Sequence, residues 1–226
     1  MKDLETLSKK EIYRYLGYNE KQHTMTPEIE QMVDECIVEV LNAAGPRVIC
    51  TPALPLKKGE DAIYIQQMAL KGKDIRIHLE HCHSAVLMAV TLGTKLDMLI
   101  RRTEAIDMAR AVILDAAANV AVEQAGQIAE DELREQIRSQ GEYLTIRYSP
   151  GYGDLPITTQ REMLRLTDAP RKIGLTVTAS HIMTPRKSMT AIMGVADIDV
   201  KGKLAGCGNC VMRKKCIYRK RGMTCE

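Results

Sequence analysis

The chain contains no phenylalanine and no tryptophan, and eight tyrosines are left to supply its large aromatic rings. Its core must therefore be built from Ile, Val, Leu, Met and Ala, with Tyr at the margins. No apolar run approaches the roughly 20 residues of a membrane span. The start, Met1-Lys2-Asp3-Leu4-Glu5, has no hydrophobic signal region. A cytoplasmic protein with no membrane attachment is the expectation. Internal repeats and low-complexity linkers are also lacking.

What is present is 226 residues, enough for one large domain or two small ones. Thirteen Met suggest a soft, adaptable interior or contact surface. Seven cysteines are an odd number, better read in a reducing compartment as core, metal or redox residues than as a disulfide framework. The net charge of +3 hides an asymmetry. Residues 201–226 hold eight of the 32 Lys/Arg and one of the 29 acids, leaving 24 basic and 28 acidic side chains in residues 1–200. The expected organisation is thus an α+β domain over 1–200 and a basic, Cys-rich tail over 201–226. A basic tail on a mildly acidic body suits an acidic partner or a bound anionic centre. Tyr218 is the tail's lone aromatic, which argues against a nucleic-acid module.

Local patterns predict the elements. Ser8-Lys9-Lys10-Glu11 is a capping box opening a short helix toward Leu16. Thr26-Pro27-Glu28 opens a second helix, whose stripe Ile29, Met32, Val33, Cys36, Ile37, Val40 and Leu41 makes Cys36 a core residue. Val48–Thr51, Ala62–Gln66 and Ile75–Leu79 read as short strands, the first burying Cys50. His81-Cys82-His83 looks like a metal cluster, but it begins what reads as a helix running through Leu87 and Val90 to Gly93. Neighbouring helix positions point to different faces, so a structural or capping role is expected; the lone His181 is read the same way. A short helix over Lys95–Ala105 and a long Ala-rich helix from Asp107 to Gln140, broken near Gly126, come next. Tyr143–Tyr148, Leu175–Ala179 and Thr190–Asp199 alternate like strands. Thr159-Gln160-Arg161-Glu162 caps a helix to Asp168. The expected fold is α+β, a twisted, mainly antiparallel sheet with long helices packed around it.

Two features carry chemistry. Arg147-Tyr148-Ser149-Pro150-Gly151-Tyr152-Gly153-Asp154 sets a fixed cation, two aromatics and two glycines within eight residues. Pro150 pushes Ser149 to an extended conformation, and Gly151 admits φ > 0 and a close ligand. Such a loop can hold a small zwitterion, with Arg147 on a carboxylate and the Tyr152 ring on a flat group or a sulfonium. On its own, though, the octet reads first as a Pro-Gly turn between a strand and a helix. In the long helix, Asp115, Asn119 and Glu123 form one polar line at i, i+4, i+8 in an otherwise apolar stretch. That line is either a ligand-pocket wall or is satisfied by nearby backbone or by Arg101 or Arg102.

Thr91-Leu92-Gly93, Asp97, Arg101-Arg102, the helix Asp115–Glu123, the Arg147–Tyr152 octet core and Met183-Thr184-Pro185 through Ser188 occur in one order. In that order they resemble the activation domain of cobalamin-dependent methionine synthase, well over residues 80–200 and loosely over 1–80. The resemblance implies S-adenosylmethionine binding through Arg147, backbone groups of Ser149 and Gly151, and Tyr152. Glu123 or Asp115 takes the place of the family's helix acid. It also implies cobalamin carried by another chain, because no Asp-x-His-x-x-Gly motif is present. A partner cob(II)alamin would then be reduced by one electron, from flavodoxin or another donor, and trapped by methylation. The family's tyrosine pair after the Pro185 segment is missing; Ile192, Met193 and Gly194 lie there.

The tail places Cys207, Cys210, Cys216 and Cys225 within 19 residues, a credible metal-ligand set. Its spacing matches neither a zinc ribbon nor the bacterial ferredoxin run. An Fe–S cluster, Zn²⁺ and free thiols all stay open. The expected function is a stand-alone reactivation subunit for a cobalamin-dependent methionine synthase chain, a component rather than a complete enzyme. The alternative is an Fe–S-dependent reductive activator of a corrinoid methyltransferase.

Overall fold

A computed structural model describes residues 4–18 and 26–200. The Cys207, Cys210, Cys216 and Cys225 set lies outside the described residues. The chain divides into two units, each built from three stretches.

The first unit holds α1 (Lys9–Tyr15), α2 (Pro27–Ala43), β1 (Arg47–Cys50), α4 (Thr94–Glu104), most of α5 (Met108–Ser139), α7 (Ala169–Ile173), β7 (Thr176–Val177) and β8 (Met183–Thr184). Ser8 caps α1 by accepting the Glu11 N–H at 3.4 Å. Asp107 does the same for α5, taking the Arg110 N–H at 3.0 Å. Arg110 also reaches back to Glu35 of α2, at 2.9 Å, and to Glu39. Cys36 is fully buried on the α2 stripe. Cys50 is only half-buried. The helix α5 runs unbroken through Gly126, contrary to the expected break. Gly126 is buried, and one internal glycine costs only about 1 kcal/mol relative to alanine. A small apolar core joins Ala89, Leu164, Ala169, Ile173 and Leu175.

The second unit contains β2 (Leu54–Lys58), β3 (Ala62–Ile65), β4 (Met68–Lys71), α3 (Lys73–His78), β6 (Tyr143–Leu144), most of β5 (Ser84–Thr91) and β9 (Ser188–Ala196), and most of α6 (Thr159–Thr167). Its strand order is β4-β3-β2-β5-β9-β6, and β1 also pairs with β5. The registered pairs, such as Leu56 opposite Ile65 and Tyr143 opposite Ala196, are antiparallel. The α+β expectation with a mainly antiparallel sheet is therefore met.

Two predicted elements are corrected. Residues 84–91 form strand β5, not a helix. All eight are buried, so the strand shows no alternation, and a continuous apolar run is ambiguous between helix and strand. Residues 75–79 lie in α3 and its cap instead of a strand, because the Asp154 carboxylate accepts the Lys73 and Asp74 N–H groups and fixes the first turn. The expected strand 143–148 is cut to β6 and one bridge, Tyr148 to Ile192. Leu144 faces Val195 while Tyr148 faces Ile192, so the β6 side carries one extra residue, a β-bulge.

Candidate functional site

The octet follows directly from that bulge. Thr145 causes it. Its hydroxyl accepts the Gly194 N–H at 2.8 Å and lies 3.0 Å from His78 Nε2, both buried. The side chain thus occupies a place the strand ladder would otherwise use. The chain re-enters the sheet at Tyr148, whose N–H reaches Ile192 O at 3.0 Å, then leaves it at Ser149.

Ser149 to Tyr152 is a turn closed by Tyr152 N–H to Ser149 O at 3.1 Å. Pro150 stands at the second position and Gly151, at φ +90°, at the third, the requirement of a type II turn. Gly151 N–H donates to Leu155 O at 2.9 Å and Leu155 N–H to Tyr152 O at 3.1 Å, so the loop closes on itself over the buried Leu155. The Tyr148 hydroxyl donates to Tyr152 O at 3.2 Å. Burial, with Asp74 and Asp154 nearby, pushes the Tyr148 phenol up to about 12, so it keeps its proton and remains a donor. Gly153, at φ +54°, passes so close that a Cβ would overlap the Asp74 carboxylate and the Tyr148 hydroxyl. Asp154 then caps α3. The outcome is a fixed loop whose Tyr152 side is presented outward, 63% exposed, with Arg147 and Ser149 half-buried.

The polar line of α5 lies in the first unit. Its partner is Lys187, which the sequence reading did not single out. The ammonium sits 2.7 Å from Asp115 Oδ1, 2.7 Å from Asn119 Oδ1 and 3.3 Å from Asp115 O. Arg101 lines a hollow beside Asp115, Asp97 and Lys187 without making that bond. Glu123 is exposed. The structure therefore joins Asp115 to Asn119 and Lys187, and gathers Arg147, Ser149, Gly151 and Tyr152 in one loop. A lysine flanked by Arg186 and Ser188 carries no local sign of burial, and only its long-range partners reveal it.

Several other residues of the ordered motifs are bound to one another. Asp97 Oδ2 accepts the Arg186 N–H at 2.7 Å. Thr91 Oγ1 accepts the Gly93 N–H at 3.2 Å and lies 2.8 Å from Ser188 Oγ. These side chains fasten α4 to the 185–188 segment, a scaffold role. His181 takes φ +62° in the β7–β8 hairpin and donates its N–H to Thr178 O at 3.0 Å.

The model of the vitamin B12-dependent methionine synthase activation domain matches residues 85–199, just over half of the chain. The chain belongs to this family. No curated protein matches it. Among solved structures it is similar to the MetH reactivation domain bound to AdoHcy, with a TM-score of 0.62 at 16% identity, covering 93% of this chain and 80% of that one. At that identity the likeness speaks for the fold. The family match spans α4, the α5 polar line, the octet and the 183–188 segment. Of the described elements, no helix is long and apolar enough to cross a membrane.

Proposed function

We propose that this activation domain binds S-adenosylmethionine and serves the reductive remethylation of cobalamin held by a separate methionine synthase chain. The observation that carries the reading is the octet, a pinned loop presenting Arg147, two turn carbonyls and an exposed tyrosine, within a chain of this family. The solved relative holds AdoHcy, the demethylated form of the same ligand.

The residues divide the ligand by chemistry. Arg147 offers the planar, permanently charged fork that suits the methionine carboxylate. The Tyr152 ring suits the sulfonium, worth about 0.5–2 kcal/mol. Ser149 and Gly151 contribute carbonyl oxygens to ligand N–H groups. Gly151 N–H is already donated to Leu155 O, and the Ser149 carbonyl has a second lone pair beyond its bond to Tyr152. Of the two helix acids, Glu123 suits the ligand's ammonium, whereas Asp115 is committed to Lys187. Bound ligand supplies the methyl group, and flavodoxin or another one-electron donor supplies the electron. The chain acts as a component in the cytoplasm, with cobalamin on its partner.

Cys207, Cys210, Cys216 and Cys225 are the proposed metal ligands, for an Fe–S cluster or Zn²⁺. Burial pushes the Cys36, Cys50 and Cys82 thiols up to about 11, so these three are poor thiolate donors. Anaerobic iron and sulfide analysis separates the two metals. An Fe–S cluster would favour the reductive-activator reading.

Calorimetry with S-adenosylmethionine tests the main proposal. One site is expected, with Arg147→Ala weakening it at least tenfold, about 1.4 kcal/mol or more. Arg147→Lys should fall between, since it keeps the charge and loses the fork. No binding by the wild-type chain, or equal binding by Arg147→Ala, refutes it.

A further inference from the structure

The second unit brings together three side chains that neither the octet nor the family match explains. His83 immediately precedes β5, Glu142 immediately precedes β6, and Asp197 immediately follows β9. These strands are neighbours in the order β5-β9-β6. The three residues therefore stand one step beyond the same end of three adjacent strands. Each backbone is fixed there. His83 N–H donates to Val195 O at 3.0 Å, and Tyr143 pairs with Ala196. Glu142 is held by the end of α5. Gly141, at φ +83°, donates to Arg138 O at 3.0 Å, and Glu142 N–H donates to Ile137 O at 3.2 Å, the paired bonds of a Schellman motif.

The side chains converge from these anchors. His83 Nε2 lies 3.1 Å from Glu142 Oε1 and 3.7 Å from Asp197 Oδ1. All three ligand atoms fall within 4.8 Å of one another. Ligand bonds of about 2.1 Å put neighbouring donor atoms about 3.0 Å apart in an octahedral site and about 3.4 Å apart in a tetrahedral one. The His83 separations of 3.1 and 3.7 Å fall close to those values. Asp197, 86% exposed, is able to close the larger gap by a rotamer change.

We propose that His83, Glu142 and Asp197 bind one divalent transition-metal ion, leaving further coordination positions to water. One imidazole with two carboxylates suits Mn²⁺, Fe²⁺ or Zn²⁺ rather than a thiolate-seeking ion. The neighbouring Cys82 takes no part, since it is 2% exposed and packs against Gly194. The ion staples the ends of β5, β9 and β6. This site does not depend on the S-adenosylmethionine reading.

Mn²⁺ is the probe, because it favours nitrogen and oxygen donors and leaves the tail thiols to softer ions. The full chain, stripped with chelator, is titrated with Mn²⁺ and free ion is followed by electron paramagnetic resonance. One bound Mn²⁺ per chain is expected, with a nitrogen coupling in pulsed spectra and a raised melting temperature. His83→Gln and Glu142→Gln should each weaken binding at least tenfold and abolish the coupling or the melting shift. Cys207→Ser with Cys210→Ser should change neither. Metal-free melting of the His83→Gln protein checks that it is folded. Absence of stoichiometric Mn²⁺, or unaltered binding in folded His83→Gln, overturns the proposal and leaves a simple imidazole–carboxylate pair.

Discussion

Asp115→Ala should destabilise the protein more than Lys187→Met, although each deletes one half of the same ion pair. The asymmetry follows from burial. The Lys187 side chain is 10% exposed and the Asp115 side chain 43%. In Asp115→Ala the ammonium stays buried with only Asn119 Oδ1, at 2.7 Å, and the main-chain oxygen at position 115, at 3.3 Å. Stranding a buried charge costs about 3–5 kcal/mol, and two surviving neutral acceptors put this case near the lower end. In Lys187→Met most of the aliphatic packing survives, and Asp115 turns to water. The loss is that of hydrogen bonds to a charged group, about 1–2 kcal/mol. The double variant should match Lys187→Met, giving a coupling of about 3 kcal/mol between the two sites, the whole cost of Asp115→Ala. Urea unfolding of the wild type and three variants measures all four corners of this cycle. Equal costs for the two single variants, or a coupling under about 0.5 kcal/mol, would refute the reasoning. The folded double variant also lacks the Asp115 carboxylate. Its S-adenosylmethionine affinity should stay within about twofold of wild type, and a loss near tenfold would move Asp115 from scaffold to ligand site.

Gly153→Ala should lower the melting temperature by about 5–10 °C, from about 2–3 kcal/mol of left-handed strain and overlap with Asp74 and Tyr148, and should weaken S-adenosylmethionine binding; unchanged melting in a thermal scan contradicts the close approach. Thr145→Val keeps the shape but strips the buried Gly194 N–H and His78 of their shared partner. It should cost about 2–4 kcal/mol in urea unfolding, with Thr145→Ser recovering most of it. At pH 8 the core thiols Cys36, Cys50 and Cys82, at about 11, are thiolate in only about one molecule in a thousand, so thiol labelling should resolve three slow groups from the tail's faster ones. Seven equal rates would contradict that assignment, and metal loading should slow the fast class.

The sequence made legible what is periodic and local. The α2 helix with its buried centre at Val33, Cys36 and Val40, the Ser8 cap and the Pro150-Gly151 turn appear as expected, because each is decided within a few residues, although Ile29 at the start of the stripe is exposed. Misreadings occur where a distant group decides. Ile75, Ile77 and Leu79 alternate like a strand, yet Asp154, some 80 residues on, caps the helix there. Residues 84–91 gave no alternation because β5 lies between β2 and β9 and is buried throughout. The structural role expected for His81-Cys82-His83 rests on a helix that does not form. On a strand end, His83 meets Glu142 and Asp197 instead of its chain neighbours. Lys187 was invisible for the same reason.

The closure of the octet also narrows how it can recognise a ligand. A Gly-containing turn is often assumed to bind anions through outward amides. Here the Gly151 and Tyr152 amides are donated inside the loop, to Leu155 O and Ser149 O. The Ser149 and Gly151 carbonyl oxygens repel a carboxylate and attract N–H groups or a cationic sulfur, and the Gly151 and Tyr152 amides are not left for an anion. Recognition of the carboxylate then falls on the Arg147 side chain, while the exposed Tyr152 ring and the carbonyls address the positive and N–H-bearing parts of the ligand. A zwitterion with separated charges meets this division, and a simple anion does not. The loop's own hydrogen bonding, rather than its composition, is therefore what favours a ligand of the S-adenosylmethionine kind.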